Sequence, residues 1–161
     1  MIESWILFAG SAFLLALSPG PDNIFVLTQS VARGARYGIA VASGLVTGCI
    51  FHTSVVALGF AVILRDNDWL LLLIKIAGAI YLLFLAYKVY QSSDKIKLDD
   101  SNVKQNSWWK LYRIGITMNL LNPKVTLFFL ALLPQFVVPN ALEEWIQIYI
   151  LGGIFMLVSS I

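Results

Sequence analysis

The chain has 161 residues, of which 59% are hydrophobic and only 12% charged, with a mean hydropathy of +0.82; soluble proteins average about 25% charged residues. Eleven Lys and Arg against nine Asp and Glu leave a net charge of +2, too little to recruit nucleic acid. A single cysteine excludes a disulfide within the chain.

These quantities predict an all-α, polytopic membrane protein embedded in a lipid bilayer. Met1-Ile2-Glu3-Ser4 lacks a basic n-region, so the first apolar run is expected to be a mature span. At the roughly 20 residues a bilayer requires, five spans are expected: Trp5 to Ala32, Gly38 to Leu64, Trp69 to Tyr90, Leu111 to Val138, and Trp145 to the end. The first is interrupted by Ser18-Pro19-Gly20-Pro21-Asp22-Asn23 and the fourth by Asn119-Leu120-Leu121-Asn122-Pro123-Lys124. A helix broken at membrane depth exposes backbone groups that lipid cannot satisfy, so such breaks survive only against protein or a watery cavity.

Other features of the spans read more blandly. Cys49 is expected to act as a small buried hydrophobe. Gly44 and Gly48 form a GxxxG, which permits close packing either within the fold or across a homodimer. His52, the only histidine, reads first as a hydrogen-bonded packing residue and second as a proton relay. Lys75 lies near enough to Trp69 to snorkel to the interface.

The connections set the orientation. The first and third, with the span ends beside them, hold Arg33, Arg36, Lys88, Lys95, Lys97, Lys104, Lys110 and Arg113, whereas the second and fourth hold only Arg65 beside four acids. Because Lys and Arg in short loops stay in the cytoplasm, the N-terminus is expected outside. Spans one and four then run in opposite senses. Aligning Pro21 with Pro123 gives an inverted repeat of three spans plus three: residues 1–90, a cytoplasmic linker over 91–110, and residues 111–161. The second repeat is expected to be incomplete. From Trp145 onward 17 residues remain, about 25 Å of helix against a core of about 30 Å, so this reading makes the sequence a fragment with span six missing.

Each break carries one ionisable residue, Asp22 and Lys124, and such a pair matches a zwitterion. Asp22 offers an anion for an ammonium group, and Lys124 a donor for a carboxylate. Helix ends freed at Pro19, Pro21 and Pro123 add amides and carbonyls. Gly20 allows close backbone approach, while Asn23, Asn119 and Asn122 can bind the freed groups. No HExxH, GxSxG or Cys/His cluster occurs, so neither a catalytic residue, a cofactor nor a metal ligand set is expected, and the chain does not read as an enzyme. A metal-ion exporter and a passive, channel-like membrane subunit remain as alternatives.

Three motifs, Ser18-Pro19-Gly20-Pro21-Asp22, Lys75-Ile76-Ala77-Gly78-Ala79-Ile80-Tyr81-Leu82 and Asn119-Leu120-Leu121-Asn122-Pro123-Lys124, occur in this order. Together they make the chain resemble the LysE/RhtB family of amino-acid exporters, the lysine and homoserine/threonine efflux type. The resemblance implies about six spans in the bacterial cytoplasmic membrane, an amino acid or close derivative as substrate, and protons as the coupling ion.

Overall fold

The computed structural model describes residues 2–18, 20–59, 67–91, 106–138 and 141–160, among which every regular element is helical. The first expected span is two helices, α1 (Ile2–Leu17) and α2 (Pro21–Arg33), set at 61° to each other. The second and third are α3 (Ala35–Gly59) and α4 (Asp68–Gln91). The fourth is α5 (Trp108–Leu121) followed at 54° by α6 (Pro123–Leu132) and a 3-10 turn, Leu133–Phe136; the last is α7 (Glu144–Ser159).

The two prolines do not kink a continuous helix. Pro21 and Pro123 each occupy the start of a new one, where the missing N–H would have had no helical partner and the fixed φ already suits the helix. Pro19 lies outside the described residues, as do the end of the expected second span beyond Gly59 and most of the expected linker, residues 92–105. Helix α5 starts at Trp108, three residues before the expected Leu111, because the Ser107 hydroxyl accepts from the Lys110 N–H at 3.3 Å and caps it.

Among the described residues α3 is, by length and composition, the one single helix that can cross a membrane, with a hydropathy of 1.8, and each bent pair qualifies as one further span. Helix α7, with 16 residues, and the Leu72–Tyr81 stretch of α4 are shorter apolar segments. Large apolar side chains dominate the outward faces. Ile2, Leu14, Leu58, Leu83 and Leu157 are each about 70% exposed, as lipid-facing side chains should be and as water-facing ones on this scale should not.

Helix α3 is the centre of the bundle, touching α2, α5, α6 and α7. Its seam with α5 is built on glycine. A methyl group on Gly44 would strike the Tyr112 carbonyl and come within 3.0 Å of Gly115 Cα, and one on Gly115 would strike the Val41 carbonyl. The GxxxG is therefore used inside the fold. Elsewhere α7 packs on α1, α2 on α3, and α4 on α6, where Gly78 meets Ala131. Two cores result: a small one around Ala40, Val41 and Leu111, and a larger one of Phe8, Val56, Phe128, Phe129, Leu133, Ile148, Leu151 and Phe155. The loop before α7 is held by Gln147, fully buried, which accepts from the Val138 N–H at 2.9 Å and donates to the Val138 and Leu142 carbonyls at 2.9 and 2.8 Å.

Candidate functional site: a cavity between two helix breaks

The site begins with the carbonyls that α1 leaves free at its C-terminal end. The Asn23 amide reaches back to donate to Ala16 O at 2.8 Å and Ser18 O at 3.2 Å. Helix α2 then starts without a side-chain cap, from Gly20, and carries Asp22 in its first turn, where the helix dipole favours an anion. At the second break Asn122 has two tasks. Its Oδ1 accepts from the Lys124 N–H at 3.0 Å, capping α6, and its Nδ2 donates to Asp22 Oδ2 at 3.1 Å.

Lys124 sits in the first turn of α6, the wrong end of that helix for a cation. It is nonetheless 5% exposed, because its ammonium group donates to Ser18 O at 2.7 Å, at the C-terminal end of α1, the right end of a different helix. The breaks thus bind each other crosswise: α6 supplies a cation to α1, and the α6 cap supplies an amide to Asp22 of α2. The sequence leads one to expect Asp22 and Lys124 at one site, as complements to the two ends of a zwitterion. They do share the site, but each is engaged by the other half's backbone or amide. They flank Gly20, where a methyl would lie 2.5 Å from Asp22 Oδ1 and 3.7 Å from Lys124 Nζ.

Asn119 closes the arrangement from α5. It is 3% exposed; its Nδ2 donates to Cys49 Sγ at 3.4 Å, and its carbonyl accepts from His52 Nε2–H at 3.2 Å. Two buried acceptors at the site, Asp22 Oδ1 and Asn119 Oδ1, have no partner among the described residues. A buried polar atom without a hydrogen bond costs about 1–3 kcal/mol, so both favour a ligand that brings donors.

These groups line a cavity of about 430 Å³, within the size range of small-molecule sites. Its polar lining is Asp22, Asn23, Cys49, Asn119, Lys124 and Ser159; the rest of its wall is largely apolar, including Leu15, Val26, Leu45, Val46 and Phe155. Of the expected site residues, Gly20, Asp22, Asn23, Asn119, Asn122 and Lys124 come together at the breaks. His52 does not line the cavity. It stands one hydrogen bond behind Asn119, with its ring 5.8 Å from that of Phe129. The sequence reading missed Ser18 O, Cys49, Phe155 and Ser159. Cys49 had one usable signal, its place next to Gly48 on the face that packs against α5, whereas Phe155 and Ser159 had none.

An all-helical membrane protein with a charged, half-apolar cavity between two broken helices has the build of a transporter. A family model for LysE type translocators matches residues 13–161, and the chain belongs to that family, as its three motifs led us to expect. It is 31% identical over 159 residues to the homoserine/homoserine lactone efflux protein of Salmonella typhimurium strain LT2. It is 32% identical over 159 residues to the protein of the same name from Salmonella typhi. Each alignment covers 99% of this chain and 76% of the relative. No solved structure matches the chain. Membership of this family makes it a membrane transport protein for amino-acid-type export.

Proposed function

We propose that the protein is a secondary transporter that exports a small amino acid or a close derivative, homoserine and its lactone among the candidates, across the bacterial cytoplasmic membrane in exchange for protons. The observation that carries this reading is Asp22, which lines the cavity together with Lys124 and whose buried Oδ1 has no partner among the described residues. A substrate ammonium group satisfies Asp22 Oδ1, and Lys124 receives the carboxylate or carbonyl end. The backbone N–H groups of the first turn of α2 have no helical acceptors and add to that anion's binding. The apolar wall takes the side chain. One carboxylate oxygen binds either an ammonium group or a proton but not both, and that competition is the least a proton-coupled exchanger needs. His52, hydrogen-bonded to Asn119, is the residue nearest to hand for passing the proton on.

One pair of helix contacts supports the inverted repeat. If α1, α2 and α3 correspond to α5, α6 and α7, the α3–α5 contact must be matched by one between α7 and α1, and both occur. Arg33 Nη2 donates to Asn106 O at 2.8 Å, which puts the first connection and the end of the linker on one side; the Lys and Arg count makes that side the cytoplasm. The domain reading of 1–90, 91–110 and 111–161 follows from this repeat.

Asp22→Asn and Lys124→Ala tested in cells loaded with labelled amino acids provide the test. Each variant should reach the membrane at normal abundance and lose at least about 90% of efflux, the effect of removing roughly 1.4 kcal/mol of binding or more. Normal efflux from either variant would remove that residue from the mechanism. Efflux that neither saturates nor responds to the proton gradient would replace the exporter with a channel.

A further inference from the structure

Above the cavity the bundle is closed by aromatic rings. Phe136 contacts Phe8 at 5.3 Å between centroids, Phe8 contacts Phe128 at 5.9 Å, Phe128 contacts Phe155 at 5.3 Å, Phe155 contacts Phe129 at 4.8 Å, and Phe129 contacts His52 at 5.8 Å. This chain of rings runs from α1 through α6 and α7 to α3. Phe8, Phe128 and Phe129 are at most 1% exposed. Rings packed at interior density leave no passage for water, still less for a zwitterion.

The layer lies on one side of the cavity in every helix that contributes to it. In α1, Phe8 precedes the cavity residue Leu15, and in α7, Phe155 precedes Ser159. In α3 and α6, which run the other way in the proposed topology, His52 follows Cys49, and Phe128 and Phe129 follow Lys124 and Val125. With the orientation proposed above, the rings separate the cavity from the outside while the cavity lies toward the cytoplasm. Among the described residues Phe155 is the one ring that both belongs to the layer and lines the cavity.

We propose that Phe155 is the outer barrier residue of the transport path: its ring, wedged between Phe128 and Phe129, must leave this position before a substrate held at Asp22 can reach the outside. The proposal rests on the transport reading, but its test does not need transport, because a cysteine placed at Ser159, a half-buried residue that lines the same cavity, reports access to it. Cys49 is buried and is replaced by serine, so the reporter protein carries Cys49→Ser and Ser159→Cys. A charged, membrane-impermeant methanethiosulfonate reagent is applied to right-side-out and to inside-out vesicles, with Cys49→Ser alone as the control for other sites of reaction. The reporter should react from the cytoplasmic face alone. With Phe155→Ala added it should also react from the outer face, at least about tenfold faster than before, and with Phe155→Leu, which keeps bulk, it should react as the reporter itself does. If the protein with Phe155→Ala fails to accumulate in the membrane, Phe155→Val gives the same comparison with a smaller gap. Failure of the outer-face reaction to rise, labelling of the reporter from outside, or no labelling from either face would each overturn the proposal. Loss of efflux in the unaltered protein with this labelling pattern intact would instead strike the transport reading alone.

Discussion

At the scale of single residues, Asn122 shows how much one amide can carry. Its oxygen caps α6 and its nitrogen holds Asp22, so the residue that shapes the second break also fixes the acid at the first. The two tasks can be separated by substitution. Asn122→Ala removes both, and loss of the cap alone should cost about 1 kcal/mol. Asn122→Asp keeps a cap acceptor but sets a second carboxylate against Asp22, so its thermal stability in detergent should fall less than that of Asn122→Ala at a pH where it is protonated and more where it is ionised. Equal stability of the two variants at every pH would show that the hydrogen bond from the Asn122 amide to Asp22 has no weight. Asp22, Lys124 and the asparagines were legible in the sequence because charge and amide groups at membrane depth have few uses. The details of their pairing were not: nothing in the order of residues shows that a backbone carbonyl, Ser18 O, takes the Lys124 ammonium group.

At the scale of elements, the glycine seam is the clearest determinant of packing. Gly115→Ala would drive a methyl into the Val41 carbonyl and to 3.0 Å from Leu45 N, backbone atoms that cannot turn aside. It should lower stability by about 1–3 kcal/mol. Gly10→Ala and Gly153→Ala meet nothing within 4 Å, so they should be neutral or should gain up to about 1 kcal/mol of helix propensity. Thermal unfolding of the three variants in one detergent measures the contrast, and a Gly115→Ala protein as stable as the other two would mean that the seam can spread without cost. Helices and breaks were readable from hydropathy and proline. Which wall of the cavity an apolar residue belongs to was not, because Phe155 and Leu157 differ only in how α7 is rotated, and that rotation is set by its neighbours. Phe155 is buried against α6 while Leu157 is 72% exposed.

At the scale of the whole molecule, orientation is the property most simply tested. In a Cys49→Ser background, a cysteine at Ala35 should be shielded from an impermeant thiol reagent in intact cells, and one at Ala141 should react. Both positions are exposed. The opposite result would invert the protein in the membrane and make Phe155 the inner barrier. The charge count leads one to expect the first and third connections on one side, and the Arg33–Asn106 contact is compatible with that expectation. The absolute side is a matter of how the cell inserts the chain, which no intramolecular contact records.

The crosswise binding of the two breaks also bears on assembly. Until α1 has delivered the Ser18 carbonyl, Lys124 faces only the positive end of its own helix and the bilayer, which makes the first turn of α6 poor company for itself. Synthesis supplies α1 first and α6 later. The earlier half therefore stands ready as a template, and the later half has reason to stay at the interface until it finds that template.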